Sequence, residues 1–188
     1  MLKWAKREPA RRKEALRFAK ASAEYLLTQM EPKDAPLAWW PPTYGRKPLR
    51  CDSAASGANR PAMVGNEPEG AVKYRGEVML LYPADVGAAF VAYYRETRDR
   101  RFLDAAKGIG RTYLKTRRPD GSWPLKMRLA TGDPIGENTL VPTKPMAFFN
   151  ALAEATKDRQ WAKASDDCFA WLEANPLKDW NWDGQLED

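Results

Sequence analysis

The spacing of hydrophobic residues along the chain predicts five helices. They cover about residues 9–30, 76–97, 99–117, 142–156 and 158–175, with Pro83 near a break or the true start of the second. In the second and fourth of these, apolar residues occur nearly all round the helix, which predicts burial on every side. The first, third and fifth carry an apolar stripe opposite a polar face. Helices of the two kinds therefore alternate, as expected for an inner and an outer layer of helices.

One passage of the sequence occurs twice. Residues 97–102 read Thr-Arg-Asp-Arg-Arg-Phe, and residues 156–161 read Thr-Lys-Asp-Arg-Gln-Trp. Each passage is followed by a predicted helix and then by a second pair of similar passages, Asp-Gly-Ser-Trp at 120–123 and Asp-Trp-Asn-Trp at 179–182. The spacing is constant, because 161 − 102 and 182 − 123 both equal 59, and we call it the repeat offset. A period of this length with two helices in each unit predicts repeated helical hairpins.

Two longer connections separate the predicted helices. Residues 31–75 are rich in proline, but the aromatic residues Trp39, Trp40 and Tyr44 in their middle favour packing across the helices over disorder. Residues 118–141 contain two turn signals around a short extended piece and predict a small β-hairpin. The predicted fold is a single all-α domain over residues 1–188, an array of antiparallel helical hairpins with a β-hairpin between helices.

The charge and the residue composition of the chain limit the kinds of functional site that it can form. The net charge of the 188-residue chain is +6, with basic residues concentrated in the first twenty positions and acidic ones in the last ten. The basic residues of the first helix lie opposite its apolar face, which favours a solvated surface over a nucleic-acid site. The chain contains no His, and its two cysteines, Cys51 and Cys168, are too few for a disulfide framework or a thiolate zinc site. We therefore expect no metal and no cofactor.

The sequence also bears on where the protein is located. No apolar run has the length of a membrane span, and the N-terminus lacks the apolar region of a signal peptide. We therefore expect no membrane partner, and cytoplasmic residence if Met1 is the true start. The sequence stops just after the second repeat passage, which predicts a piece of a longer protein. If that longer protein is secreted, we expect a periplasmic or extracellular location instead.

Three passages resemble the six-hairpin glycosidase-like superfamily, the (α/α) toroids. They are Leu-Tyr-Pro-Ala-Asp-Val-Gly at 81–87, Pro-Asp-Gly-Ser-Trp-Pro at 119–124 and Asn-Trp-Asp-Gly-Gln at 181–185. The resemblance covers residues 76–188 well and the rest loosely, and it concerns architecture. It implies an incomplete ring of hairpins, completed by a missing part of the toroid or by a homo-oligomer. It also implies a carbohydrate ligand, with uronic-acid-bearing sugars among the candidates, in a cleft at one end of the ring.

Aromatic and carboxylate residues in loops or at helix ends are the candidates for that cleft, because sugar rings stack on aromatic faces and their hydroxyls bond to carboxylates. The candidate substrate-binding residues are Trp39, Trp40, Tyr44, Tyr82, Trp123, Glu137 and Trp182. The candidate catalytic residues are Asp85, Asp183 and Glu187. Glycoside hydrolysis needs two carboxyl groups, and Asp85, near the start of a buried helix, is the best single one.

Each candidate also has a structural interpretation. The tryptophans can fill gaps between hairpins, Asp85 can be a first-turn acid, Glu137 can be a loop acid, and Asp183 and Glu187 can belong to a solvated acidic tail. The absence of His disfavours epimerases and lyases and leaves hydrolases. A non-catalytic helical scaffold or a sugar-binding module is the alternative. A triterpene-cyclase-like toroid is a lesser one, because Arg117 stands where that repeat has Gln and no Asp-rich motif occurs.

Overall fold

The structure is a computed structural model that describes residues 1–43 and 76–185. It is mostly helical, as predicted, with one small antiparallel sheet. The helices are α1 Leu2–Arg7, α2 Arg12–Gln29, α3 Leu81–Thr97, α4 Arg100–Thr116, α5 Thr143–Thr156, α6 Arg159–Ala174 and α7 Pro176–Asp179, with a 3₁₀ turn at Pro9–Arg11. The strands are β1 Glu77–Met79, β2 Pro124–Arg128 and β3 Pro134–Thr139.

Two helical hairpins, α3–α4 and α5–α6, form the body of the structure, and they share the same turn. α3 is followed by Arg98 (φ 63°) and α5 by Lys157 (φ 60°), both in the left-handed conformation. Asp99 and Asp158 then cap the following helices, each accepting a hydrogen bond from the backbone N–H two residues on, at 3.1 and 3.0 Å. The predicted hairpin repeat is therefore present in the backbone at these turns.

α3 and α5 lie side by side, and each also packs against its own hairpin partner. Gly87 permits the close approach of α3 to α5, because a Cβ atom there would lie 2.4 Å from the ring of Phe148. The core between the hairpins is aromatic, with the rings of Tyr113, Phe149 and Trp161 fully buried. Ring stacking between Phe149 and Trp161, at 6.1 Å between centroids, joins the two helices of the second hairpin.

The sheet has the order β1-β2-β3 with antiparallel pairing throughout. The β2–β3 hairpin was predicted, but the prediction of a helix from residue 76 was wrong for its first turn. Val78 pairs with Met127 of β2. Residues 77–79 form a strand because they pair with the edge of β2, which lies next to them only in the folded chain. Gly76, at φ 85°, provides the turn before β1.

The sheet also follows the repeat. Leu80 N–H donates to the carbonyl of Leu125 at 2.9 Å, and one repeat offset further along the chain Thr139 N–H donates to the carbonyl of Gly184 at 2.7 Å. Strand β3 is therefore the counterpart of β1 in the second unit. Because β2 pairs with both strands, it belongs to the sheet segments of two successive units.

Burial on all sides, predicted for the second and fourth helices, was wrong. Ala89 and Ala92 of α3 are exposed, and so are Ala147 and Asn150 of α5. These faces are lined by small or polar residues, and on α3 they border a groove between that helix and the two N-terminal helices. The first predicted helix is confirmed over α2, although Phe18, which follows the buried Ala15 at helical spacing, is 44% exposed.

The described part of the connection after α2, residues 31–43, packs as expected. Leu37 and Trp40 are fully buried, and the backbone N–H of Trp39 bonds to the carbonyl of Glu31. The remainder of that predicted connection, residues 44–75, lies outside the described residues.

Candidate functional site

The N-terminal turns of α3 and α5 meet beside the sheet, and they bring together an acid and a base. Lys144 Nζ lies 2.9 and 3.2 Å from the two carboxylate oxygens of Asp85. Both side chains are about half exposed, so the pair faces solvent. Tyr82, one turn before Asp85 on α3, is 43% exposed. Together these three residues form the sheet-end cluster.

Sequence reasoning missed Lys144. It follows Asp85 by the repeat offset, so the two side chains occupy equivalent places in successive units. Arg95 and Glu154, separated by the same offset, form a second ion pair between α3 and α5 at 2.7 Å. The repeat offset was therefore the signal that could have identified Lys144, since equivalent residues of adjacent parallel units lie next to each other.

Tyr113 fixes the turn that carries Asp85. Its hydroxyl donates to the carbonyl of Leu80 and accepts from the backbone N–H of Ala84 at 3.1 Å. Burial raises the pKa of Tyr113 well above its usual value, and the charge of Asp85 adds to that effect. Tyr113 is therefore a neutral anchor between α4 and the start of α3.

Two of the candidate aromatic residues belong to the core. Trp40 and Trp123 are fully buried, and their rings lie 4.7 and 5.9 Å from that of Tyr113. Trp40 Nε1 donates to the carbonyl of Ile109 at 3.3 Å, and Trp123 Nε1 to that of Tyr113 at 2.9 Å. With both faces packed and the indole N–H bonded, these rings offer a sugar no surface.

Trp39 is half buried and also has a packing role. Its ring lies against Gly108, where a Cβ atom would come within 2.4 Å of it, and Lys33 Nζ sits 5.4 Å from the ring centroid. Trp39 adopts φ 66°, which turns its side chain towards α4 and the following Trp40 into the core. Trp182, also half buried, lies in the turn after α7.

The other candidate acids lie near the sheet. Asp183 is exposed, and the bond from Thr139 to Gly184 holds its segment at the end of β3. Glu137 is exposed on β3 itself, so its predicted place in a loop was wrong. Within the described chain, Asp85 pairs with a base and not with a second carboxylate. Tyr44 and Glu187 lie outside the described residues.

Two findings bear on other ligands. No group of three or more His, Cys, Asp or Glu side chains suited to a metal ion occurs within residues 1–43 and 76–185. In the same ranges, no helix combines the length and the apolar character that crossing a membrane requires.

Comparison of the chain with protein-family models, with curated proteins and with solved structures finds no match. Function is therefore argued from the sheet-end cluster and its surroundings.

Proposed function

We propose that this chain is a carbohydrate-active, glycosidase-like protein whose sheet end binds an oligosaccharide. The observation that carries the proposal is the solvent-facing Asp85–Lys144 pair beside Tyr82. A carboxylate and an ammonium group bond well to sugar hydroxyls, and an adjacent aromatic face stacks on the C–H face of a sugar ring. Residues 81–87, which resemble the (α/α) toroids, lie at this same end of the structure, and this supports placing the binding site there. We propose that the architecture is an incomplete toroid.

The pair favours a sugar that carries a carboxylate. A uronic acid group competes with Asp85 for Lys144, and binding of that group releases the Asp85 carboxylate to act on the sugar. Asp85 then serves as the general acid or base of a hydrolase. Asp183, on the segment joined to β3, is the proposed second carboxylate, because hydrolysis of a glycosidic bond uses two. Trp182 and Glu137 are proposed to line the same end.

Calorimetric titration with neutral and uronic-acid oligosaccharides, followed by analysis of products, tests this proposal. We expect the uronic-acid ligands to bind more tightly than the neutral ones and to be cleaved. Asp85→Asn should abolish cleavage, whereas Asp104→Asn, an exposed acid near the start of α4, should leave both binding and cleavage unchanged. Cleavage that survives in Asp85→Asn would remove that residue from the mechanism, and no binding of any sugar would remove the proposal.

A sugar-binding module without turnover is the second candidate. It is favoured by one observation: the described partner of Asp85 is a base, Lys144, and not the second carboxylate that hydrolysis uses. Binding of a uronic-acid ligand that is lost in Lys144→Met, with no product from the wild type, would establish this alternative.

A further inference from the structure

The second hairpin presents a face that is covered in the first one. One side of the α3–α4 hairpin packs against the next hairpin in the chain, α5–α6. On that side Gly110 is buried, and a Cβ atom there would lie 2.8 Å from the ring of Trp161. The residue one repeat offset later, Phe169 of α6, is 49% exposed. The side of α6 that corresponds to a packed interface on α4 is therefore open in the described chain.

This open side is a continuous stripe. Its members are exposed residues of α6 at helical spacing around Phe169, together with exposed residues of the neighbouring α5. We call it the C-terminal face, and it comprises Ala147, Asn150, Ala162, Asp166, Phe169 and Glu173, all of them exposed. Its centre is apolar and its two charged residues are acidic.

The opposite end of the array carries an apolar groove of about 360 Å³ between α1, α2 and α3. The six-residue α1 and the longer α2 both contact α3, and the three helices leave this opening between them. We call the opening the N-terminal groove. Its apolar lining includes Leu2, Ala19, Ala23, Leu26, Ala89 and Ala92. Phe18, on the same helix as three of these residues, is also exposed.

The two ends have opposite charge. The first twenty residues hold eight basic and two acidic side chains, and Lys3 lies at the groove itself. Residues 158–185 hold six acidic and three basic ones, with Asp166 and Glu173 on either side of Phe169. Lys3 at the groove and the two acids beside Phe169 therefore place opposite charges next to two exposed apolar surfaces, as in complementary interfaces.

We propose that a second copy of this chain docks head to tail, with Phe169 of one copy in the N-terminal groove of the next. The contact continues the packing of the α3–α4 hairpin on the α5–α6 hairpin, and its two sides are different surfaces. Such a heterologous contact extends to a ring or an open chain of copies. The proposal does not depend on carbohydrate binding.

Sedimentation velocity of the full chain over a range of concentrations tests the contact. We expect oligomers that dissociate on dilution and weaken as salt rises, because the flanking charges are solvent-exposed. Phe169→Lys and Ala92→Glu each alter an exposed residue on one side only, so each protein should fold and be monomeric. Phe169→Lys should weaken association roughly tenfold or more, as expected when an aromatic residue at an interface centre is replaced. Ala92→Glu should weaken it to a similar extent, because it places an acid opposite the acidic C-terminal face. Trp180→Ser, at an exposed aromatic outside both surfaces, should change nothing.

Mixing the two variants distinguishes head-to-tail docking from symmetric docking. The Phe169→Lys protein keeps an intact groove and the Ala92→Glu protein an intact C-terminal face, so the mixture should form a one-to-one dimer and nothing larger. If a variant does not give the circular dichroism of the wild type, Phe169→Ala or Ala92→Ser replaces it. A wild-type chain that is monomeric throughout, or a mixture that stays monomeric although the wild type assembles, would overturn the proposal.

Discussion

Replacement of Tyr113 by Phe should destabilise the protein through two backbone groups and not through lost packing. The ring stays, so the aromatic contacts of the core are preserved. The hydroxyl is lost, and with it the bonds to the carbonyl of Leu80 and the N–H of Ala84. These groups lie at the start of α3, where Pro83 already lacks an N–H.

The magnitude follows from the burial of those groups. One buried backbone group left without a partner costs about 1–3 kcal/mol. The carbonyl of Leu80 and the N–H of Ala84 have the spacing of a helical hydrogen bond, so they can partly satisfy each other when the hydroxyl is gone. We therefore expect a loss of about 2 kcal/mol in the free energy of unfolding. In a chain of this length that corresponds to a fall in Tm of about 4–8 °C.

Urea denaturation and thermal melting followed by circular dichroism provide the measurement. Tyr93→Phe is the matched control, because it removes a hydroxyl from the same core without touching the start of α3; its ring lies 4.6 Å from that of Phe102. We expect the control to change the stability by less than about 0.5 kcal/mol. Equal losses in the two variants, or a loss below that limit for Tyr113→Phe, would refute the argument.

Two further predictions concern α6. Asp158→Ala should lower the free energy of unfolding by about 1 kcal/mol in urea denaturation, because the cap on the N–H of Gln160 is lost; Asp158→Asn keeps an acceptor, and an equal loss there would argue against capping. Burial raises the pKa of the Cys168 thiol to about 12. The unfolded thiol ionises first, so stability should be complete below pH about 8.5 and fall as the pH rises towards 12. Cys168→Ala should have a shallower decline over that range, and identical slopes would contradict this reading.

The hairpin body was predictable because its signals are local or periodic. Asp99 and Asp158 mark the helix starts by cap chemistry, and the repeat offset defines the unit without any knowledge of contacts. Trp123 recurs with the unit at Trp182, and the recurrence was compatible with either a ligand site or a core position. The structure shows that Trp123 is a core residue, since its indole N–H bonds to Tyr113.

The features that sequence reasoning missed depend on partners distant in the chain. Residues 77–79 have no strand pattern of their own, and their conformation is set by pairing with β2, which follows only after the whole α3–α4 hairpin. Ala89 and Ala92 are exposed because they border the groove between α1, α2 and α3, which the apolar character of α3 alone does not indicate. Lys144 became part of the candidate site because α3 and α5 lie in register, which only the offset between Asp85 and Lys144 could have indicated.

Strand β2 limits how far the array can be treated as separable modules. It closes the sheet of its own unit through β1 and that of the following unit through β3, so the boundary between these units crosses a hydrogen-bonded strand. Excising one hairpin at its helix ends would leave an unpaired strand edge on the remainder. Units overlapping in this way are expected to unfold together, and engineered duplications or deletions should retain a whole strand pair at each junction.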